Sequence, residues 1–463
     1  MPYTGETSSK ASHSDIVQNP DVDQFLDDCD YLREPSEDEA EAIAARFIPA
    51  PTTDGVELPE RIIAVDGSLY ESSIDDRLPS TKVGFIKIGL VLIKMEEFSS
   101  LRVRNGRFVD PFRVAELKDD NRSVTFPMPS ANIEWKQMGS VRKGFRAATD
   151  AFLYDERTRF NPEDPKTSLR TTLFHLAARR AGELGTDDPS RLRIHKCPSC
   201  GERSVKVQDI PDDQYCPACD KQVFPSDCLR LWEEVNENQS NRGALMRFMQ
   251  DLEHLMILHY VRYLYENSLE DLATTAFFLD RPLAVYGNSA WLHLSIMRYL
   301  SEINETLAHH GKPRVLIVGL QKTGQVADHV GLINPHLSSN RLFPLDDDYR
   351  HEYIIPSKER SANGFGYETY YGQDFIFKTP SERSFVFAIP YPCASKESGE
   401  FIDAKVELDN YPDLGRALKL IKHFESDLYE NAVVPIALAH RHTAISLAPG
   451  GQVLDVLTED ALQ

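Results

Sequence analysis

Arg61-Ile-Ile-Ala-Val-Asp66-Gly67-Ser68 is the stretch on which the reading of this chain turns. Ile62 to Val65 are branched or small apolar residues, the composition of a buried strand, and Gly67-Ser68 predict a turn that stops it. Asp66 would then stand at a strand end, where a metal or a phosphate can approach. Alone, an Asp at such a turn is ordinary structure. A second setting of the same kind comes far downstream, in Thr274-Thr-Ala-Phe-Phe-Leu-Asp280-Arg281-Pro282-Leu283, where an apolar strand again runs into an Asp. Two carboxylates brought together in one sheet suit Mg²⁺ or Mn²⁺, which prefer hard oxygen ligands and keep positions open for water and phosphate. Phosphodiester hydrolysis is the chemistry such an ion serves.

The cysteines point to a separate metal. Of seven, four form Cys197-Pro-Ser-Cys200 and Cys216-Pro-Ala-Cys219. Two such knuckles at this spacing predict a tetrahedral Zn²⁺ ribbon over residues 193–228, closed by Cys197, Cys200, Cys216 and Cys219 and therefore structural. Gly201 and Asp220, each following a knuckle, can take the left-handed backbone that knuckles need. Cys29, Cys228 and Cys393 are expected to be free thiols, a pattern suited to a reducing cytoplasm.

Further pieces follow in a set order: Gly319-Leu-Gln-Lys322-Thr323-Gly324, then Tyr371-Gly372 with Lys378, then Val434-Pro435-Ile-Ala-Leu-Ala-His440-Arg441-His442. With Asp66-Gly67-Ser68 and Phe277 to Ala284 they cover the chain from Arg61 to about Ser446, and in that order they resemble the NurA-type nucleases that partner HerA-type hexameric ATPases, in their bacterial form. The resemblance implies an α/β fold with a ribonuclease H-like core and a mixed central sheet. It implies a Mn²⁺- or Mg²⁺-dependent deoxyribonuclease, a homodimer acting on DNA with a HerA-like translocase in DNA end processing or phage defence. Its site would comprise Asp66, a helix-borne Glu, Asp280 and a C-terminal His. Arg281 stands where the family usually has Gly.

The helix is expected from Asn241 to Tyr265, where Leu245, Phe248, Met249, Leu252, Leu255, Met256 and Tyr260 recur at helical spacing. Glu253 interrupts that apolar surface and is the first candidate ligand, with Glu234 and Glu266 as rivals. His440 and His442 end an apolar run that reads as a final strand, which would point both to one face. Either can bind an ion or donate a proton, and the resemblance favours His440. Lys322, Arg281, Lys378 and His442 are candidate substrate contacts.

Acidic residues exceed basic ones, 72 against 51, for a net charge of −21. That is awkward for binding nucleic acid unaided, because phosphate contacts depend on Lys and Arg. A basic stretch that includes Arg142, Arg146, Arg170, Arg179, Arg180, Arg193 and Lys196 leads into the ribbon; it reads as a solvated face or as a DNA guide. A motor partner would remove the rest of the need. No signal peptide or membrane span is visible, so a cytoplasmic protein is expected. Residues 1–20 are expected to be a disordered tail and 21–60 an acidic helical segment suited to docking a partner. The nuclease core would occupy 61–192 and 229–463 on either side of the ribbon, with strands at Val83–Met95, Pro313–Gly319, Tyr353–Pro356, Asp374–Phe377 and Phe385–Ile389, and a helix at Leu414–Tyr429. Two other classes compete. A non-catalytic DNA-binding adaptor of the same ATPase is one, suggested by Arg281. An actin-like or sugar-kinase phosphotransferase is the other, and it lacks the expected Gly-rich nucleotide loops.

Overall fold

The computed structural model describes residues 19–29, 32–75, 77–100, 122–355, 361–397, 400–426 and 432–444. The expected disordered tail up to residue 18, most of the polar segment before residue 122 and the C-terminal tail lie outside the described residues. In chain order the strands are β1 (Ile48–Pro49), β2 (Arg61–Ser73), β3 (Lys82–Lys94), β4 (Arg122–Pro129), β5 (Arg191–Lys196), β6 (Arg203–Gln208), β7 (Gln214–Tyr215), β8 (Gln222–Val223), β9 (Thr275–Leu279), β10 (Leu316–Gln321), β11 (Arg341–Pro344), β12 (Gly372–Lys378) and β13 (Ser384–Pro390). The helices used below are α1 (Pro20–Asp27), α2 (Glu37–Ala45), α3 (Val141–Tyr154), α4 (Leu169–Ala178), α5 (Arg242–Asn267), α6 (Leu292–His309), α7 (Gln325–Ile333), α8 (Leu414–Phe424) and α9 (Val434–Thr443).

A nine-stranded mixed sheet organises the molecule, in the order β1-β11-β12-β13-β10-β9-β2-β3-β4. β2, β9 and β10 run parallel at its centre, and the flanking pairs are antiparallel. The margins, β1 and β4, carry Pro49 and the pair Pro127 and Pro129. Because side chains alternate along a strand, β2 sends Ile63 and Val65 into one core with α3, α4, α5 and α6, and Ile62 and Ala64 into another with α8 and α9. A third cluster seats α2 and α7 on β11, β12 and β13.

Three expectations are corrected. β2 does not turn at Gly67-Ser68: it stays paired with β3 as far as Ser73, whereas its pairing with β9 ends at Val65↔Leu279. Asp66 therefore lies in mid-strand, at the point where the parallel neighbour leaves. The run carrying the histidines is helix α9, not a strand, and Pro435 lies in its first turn, where the missing N–H has no partner to lose. Of the strand expected at Tyr353–Pro356, Pro356 lies outside the described residues and the rest is not strand; Arg350–Ile354 is a helical turn.

The small ribbons β5/β6 and β7/β8 bring the four cysteines together. Cys197 and Cys219 sulfurs are 3.9 Å apart, Cys200 and Cys216 sulfurs 3.8 Å. Four thiolates at about 2.3 Å from a tetrahedral zinc would be about 3.8 Å from one another. Gly201 and Asp220 take positive φ, 80° and 53°, as each knuckle closes. The basic stretch is only in part a solvated face: Arg142 and Arg191 are exposed, but others are tied up in ion pairs. Arg146 is buried against Asp227, Arg170 is buried between Asp150 and Asp209, Arg179 pairs with Glu302 and Lys196 with Glu233. These arginines fasten the ribbon and α4 to the core.

Candidate metal centre

Where β9 departs from β2, Asp66 is left without a strand beside it on that side, and Asp280 follows directly on the end of β9. α9 crosses one face of the sheet there. Ligand atoms of Asp66, Asp280 and His440 all lie within 4.8 Å of one another. Asp66 is buried, and its Oδ2 accepts from Thr443 Oγ1 at 2.5 Å and from His440 Nδ1 at 3.1 Å. That second bond places the His440 proton on Nδ1 and leaves Nε2 as the basic nitrogen. The Asp66 carboxylate beside it raises the His440 pKa above its ordinary value. Thr443 reaches Asp66 because its register partner on β3 is Gly89: a Cβ there would stand 2.4 Å from Thr443 Cγ2.

The opposite face is arranged in the same way. α5 lies across β2, and Glu253, 2% exposed, approaches at Gly67, where a Cβ would stand 2.7 Å from Glu253 Oε1 and 2.8 Å from Met249 Cγ. Gly67 is thus needed for a close approach, not for a turn. Burial, with the charges of Asp66 and Asp280 added, pushes the Glu253 carboxyl up to about 7, against the pull of Arg281. Arg281 Nε pairs with Glu253 Oε2. Burial likewise raises Asp280, whose Oδ2 lies 2.5 Å from the Lys322 ammonium that counters the rise. Buried carboxylates facing one another call for cations, and two acidic oxygens plus an imidazole nitrogen form a donor set suited to Mn²⁺ or Mg²⁺.

Of the three candidate glutamates, Glu253 is the one turned toward Asp66. Glu234 lies near Arg247 at 3.9 Å, and Glu266 is paired with Arg262. Arg281 and Lys322 are brought into the cluster. Lys378 is not: it is buried, and its ammonium donates to the carbonyls of Asn334 and Leu337 at 2.8 Å each, fastening the end of α7. His442 is two residues beyond His440 on a helix and so about 200° around it, which removes the shared face a strand would have given. Thr443 was not singled out in the sequence; a hydroxyl three residues after His440 on a helix was the available signal.

No family model matches the sequence, and no curated protein does. Two solved structures, described as the crystal structure of NurA and that of NurA with manganese, align with 98% of this chain. The first is 10% identical over 97% of its own chain with a TM-score of 0.27, the second 13% identical over 99% with a TM-score of 0.21. At that level of likeness, this chain's own residues bear the functional reading.

Proposed function

We propose that this protein is a divalent-metal-dependent DNA nuclease in which Asp66 and Asp280 hold Mn²⁺ or Mg²⁺. The observation that carries the reading is the convergence of Asp66, Asp280 and His440 at the gap left by β9, with buried Glu253 facing it from α5. A bound ion would supply Lewis-acid chemistry, polarising a phosphoryl oxygen and lowering the pKa of a water. Asp66 and Asp280 offer the oxygens, and Lys322 beside Asp280 draws the phosphate in. Hydrolysis forms a bond from the water oxygen to phosphorus and breaks the bond from phosphorus to the leaving sugar oxygen. His440, oriented through Nδ1 by Asp66 and drawn toward its doubly protonated form by that carboxylate, then carries a second proton on Nε2 that it can pass to that oxygen as the attacking water gives one up.

The run of three antiparallel strands, β2-β3-β4, followed by the parallel pair β9 and β10 supports a ribonuclease H-like core. The cysteine geometry supports a structural Zn²⁺. A HerA-like ATPase partner, a homodimer, a cytoplasmic setting and a task in DNA end processing or phage defence follow from the sequence resemblance. Among the described residues, no helix is long and apolar enough to cross a membrane.

The test is Mn²⁺-dependent degradation of linear duplex DNA by the purified chain, with and without its ATPase. Wild type should degrade DNA, and Asp66→Asn and Asp280→Asn should each abolish the activity while the melting temperature holds. A wild type silent in every mixture that still binds DNA and stimulates the ATPase would leave the adaptor reading, which the engagement of Glu253 by Arg281 favours.

A further inference from the structure

We infer that this centre takes one divalent ion per chain, and that Arg281 and Lys322 serve as fixed cations where a two-ion site would place its second metal. The inference rests on the metal-centre reading above and deepens it. A two-ion centre sets its ions about 3.5–4 Å apart, and a carboxylate that bridges such a pair uses both its oxygens. Asp66 cannot do so here. Its Oδ2 already accepts from Thr443 and His440, which leaves Oδ1 for an ion. Asp280 is similarly half engaged, with Oδ2 against Lys322. Glu253, the remaining carboxylate, is held by Arg281 at Oε2, and the arginine side chain is itself only 17% exposed.

Charge gives an independent reason. With an ion bound, which draws Asp66, Asp280 and Glu253 all to their ionised forms, three carboxylates set against a guanidinium and an ammonium leave one negative charge, and a single divalent ion turns that to one positive, ready for a phosphodiester. A second ion would overcharge a buried site before any substrate arrived. Arg281 has no freedom to move aside cheaply, since its departure would strand the Glu253 carboxylate among two other acids.

Mn²⁺ binding to the full-length chain, with its zinc content measured beforehand, tests this by calorimetry and by electron paramagnetic resonance. Wild type should bind one Mn²⁺ with an uncoupled spectrum. The double variant Arg281→Met with Lys322→Met, which frees Glu253 and leaves both Asp280 oxygens open to bridge, should bind two with a spin-coupled spectrum, and Arg281→Lys with Lys322→Arg, which keeps both cations, should stay at one. Two coupled ions in wild type would overturn the inference, and so would a single ion in the folded Arg281→Met, Lys322→Met variant as well as in wild type. No Mn²⁺ on the wild-type chain would instead overturn the metal-centre reading beneath it.

Discussion

Thr443 donates to the same Asp66 oxygen that accepts from His440, so the carboxylate is clamped on one side and its other oxygen is aimed. Groups that orient a ligand without touching the ion are commonly worth tenfold or more in metal affinity. Thr443→Val keeps the shape and removes the donor, and Mn²⁺ affinity should fall about tenfold in a calorimetric titration; an unchanged affinity would mean that His440 orients Asp66 unaided. Gly67→Ala sets a methyl group against Glu253 and Met249. It should destabilise the chain by about 1–3 kcal/mol, read from the urea midpoint. At this scale, Asp66 and Asp280 were legible in sequence because a carboxylate after an apolar run stands out. The role of Gly67 was misread, since a glycine that ends a strand and one that clears the way for a partner look the same in one dimension. Nor could Glu253 be separated there from Glu234 and Glu266. α5 is buried almost all round, so its register leaves no single polar stripe to read.

α9 shows the same difficulty at the scale of an element. Val434, Pro435, Ile436, Leu438 and Ala439 are all buried, and a helix surrounded by core has no 3.6-residue alternation to distinguish it from a buried strand. Pro435, which a strand interior disfavours, was the unused sign of a helix start. The strands β3, β9, β12 and β13 fall where the pattern put them, β10 begins three residues later than expected, and amphipathic α8 starts at Leu414 as expected but ends at Phe424. α7 carries a testable charge effect. His329 is buried, bonds Tyr349 Oη through Nε2 at 2.7 Å, and is held by burial down to about 4 from 6.5. A base whose folded pKa is depressed leaves stability intact above 6.5 and drains it as pH falls toward 4, because the unfolded chain takes the proton first. Between about pH 7.5 and 5, wild type should lose roughly 2 kcal/mol more than His329→Gln, compared by urea midpoints; parallel losses would discount the histidine. The ribbon's knuckles were legible outright because their ligand spacing is local. Its coupling to the core was not. Cys197 and Cys216 belong to the main hydrophobic cluster, so Cys197→Ser should release zinc and lower the melting temperature of the whole chain, not of the ribbon alone. A melt unchanged after zinc loss would detach the two.

For the whole molecule, the net charge of −21 opposes a duplex, and Arg146 and Arg170 of the basic stretch are spent in buried ion pairs. Fluorescence anisotropy at physiological salt should place the chain's own affinity for duplex DNA at the weak end of non-specific binding, nearer about 10⁻⁴ M than 10⁻⁶ M; tighter binding without a partner would mean that exposed residues such as Arg142 and Lys143 suffice to hold a duplex. Composition made that conflict visible, but the sheet order behind the site was beyond it, because pairings such as β2 with β9 join residues far apart in the chain. The sheet's margins bear on assembly. A proline cannot donate to a neighbouring strand, so Pro127 and Pro129 stand where the β4 backbone faces outward, and the far margin is a two-residue strand ending in Pro49. Among the described residues, the outward row of β4 amides is cut short by its two prolines, and β1 offers only two residues. Both margins thus resist the edge-to-edge pairing that would merge the sheets of neighbouring copies into a continuous filament.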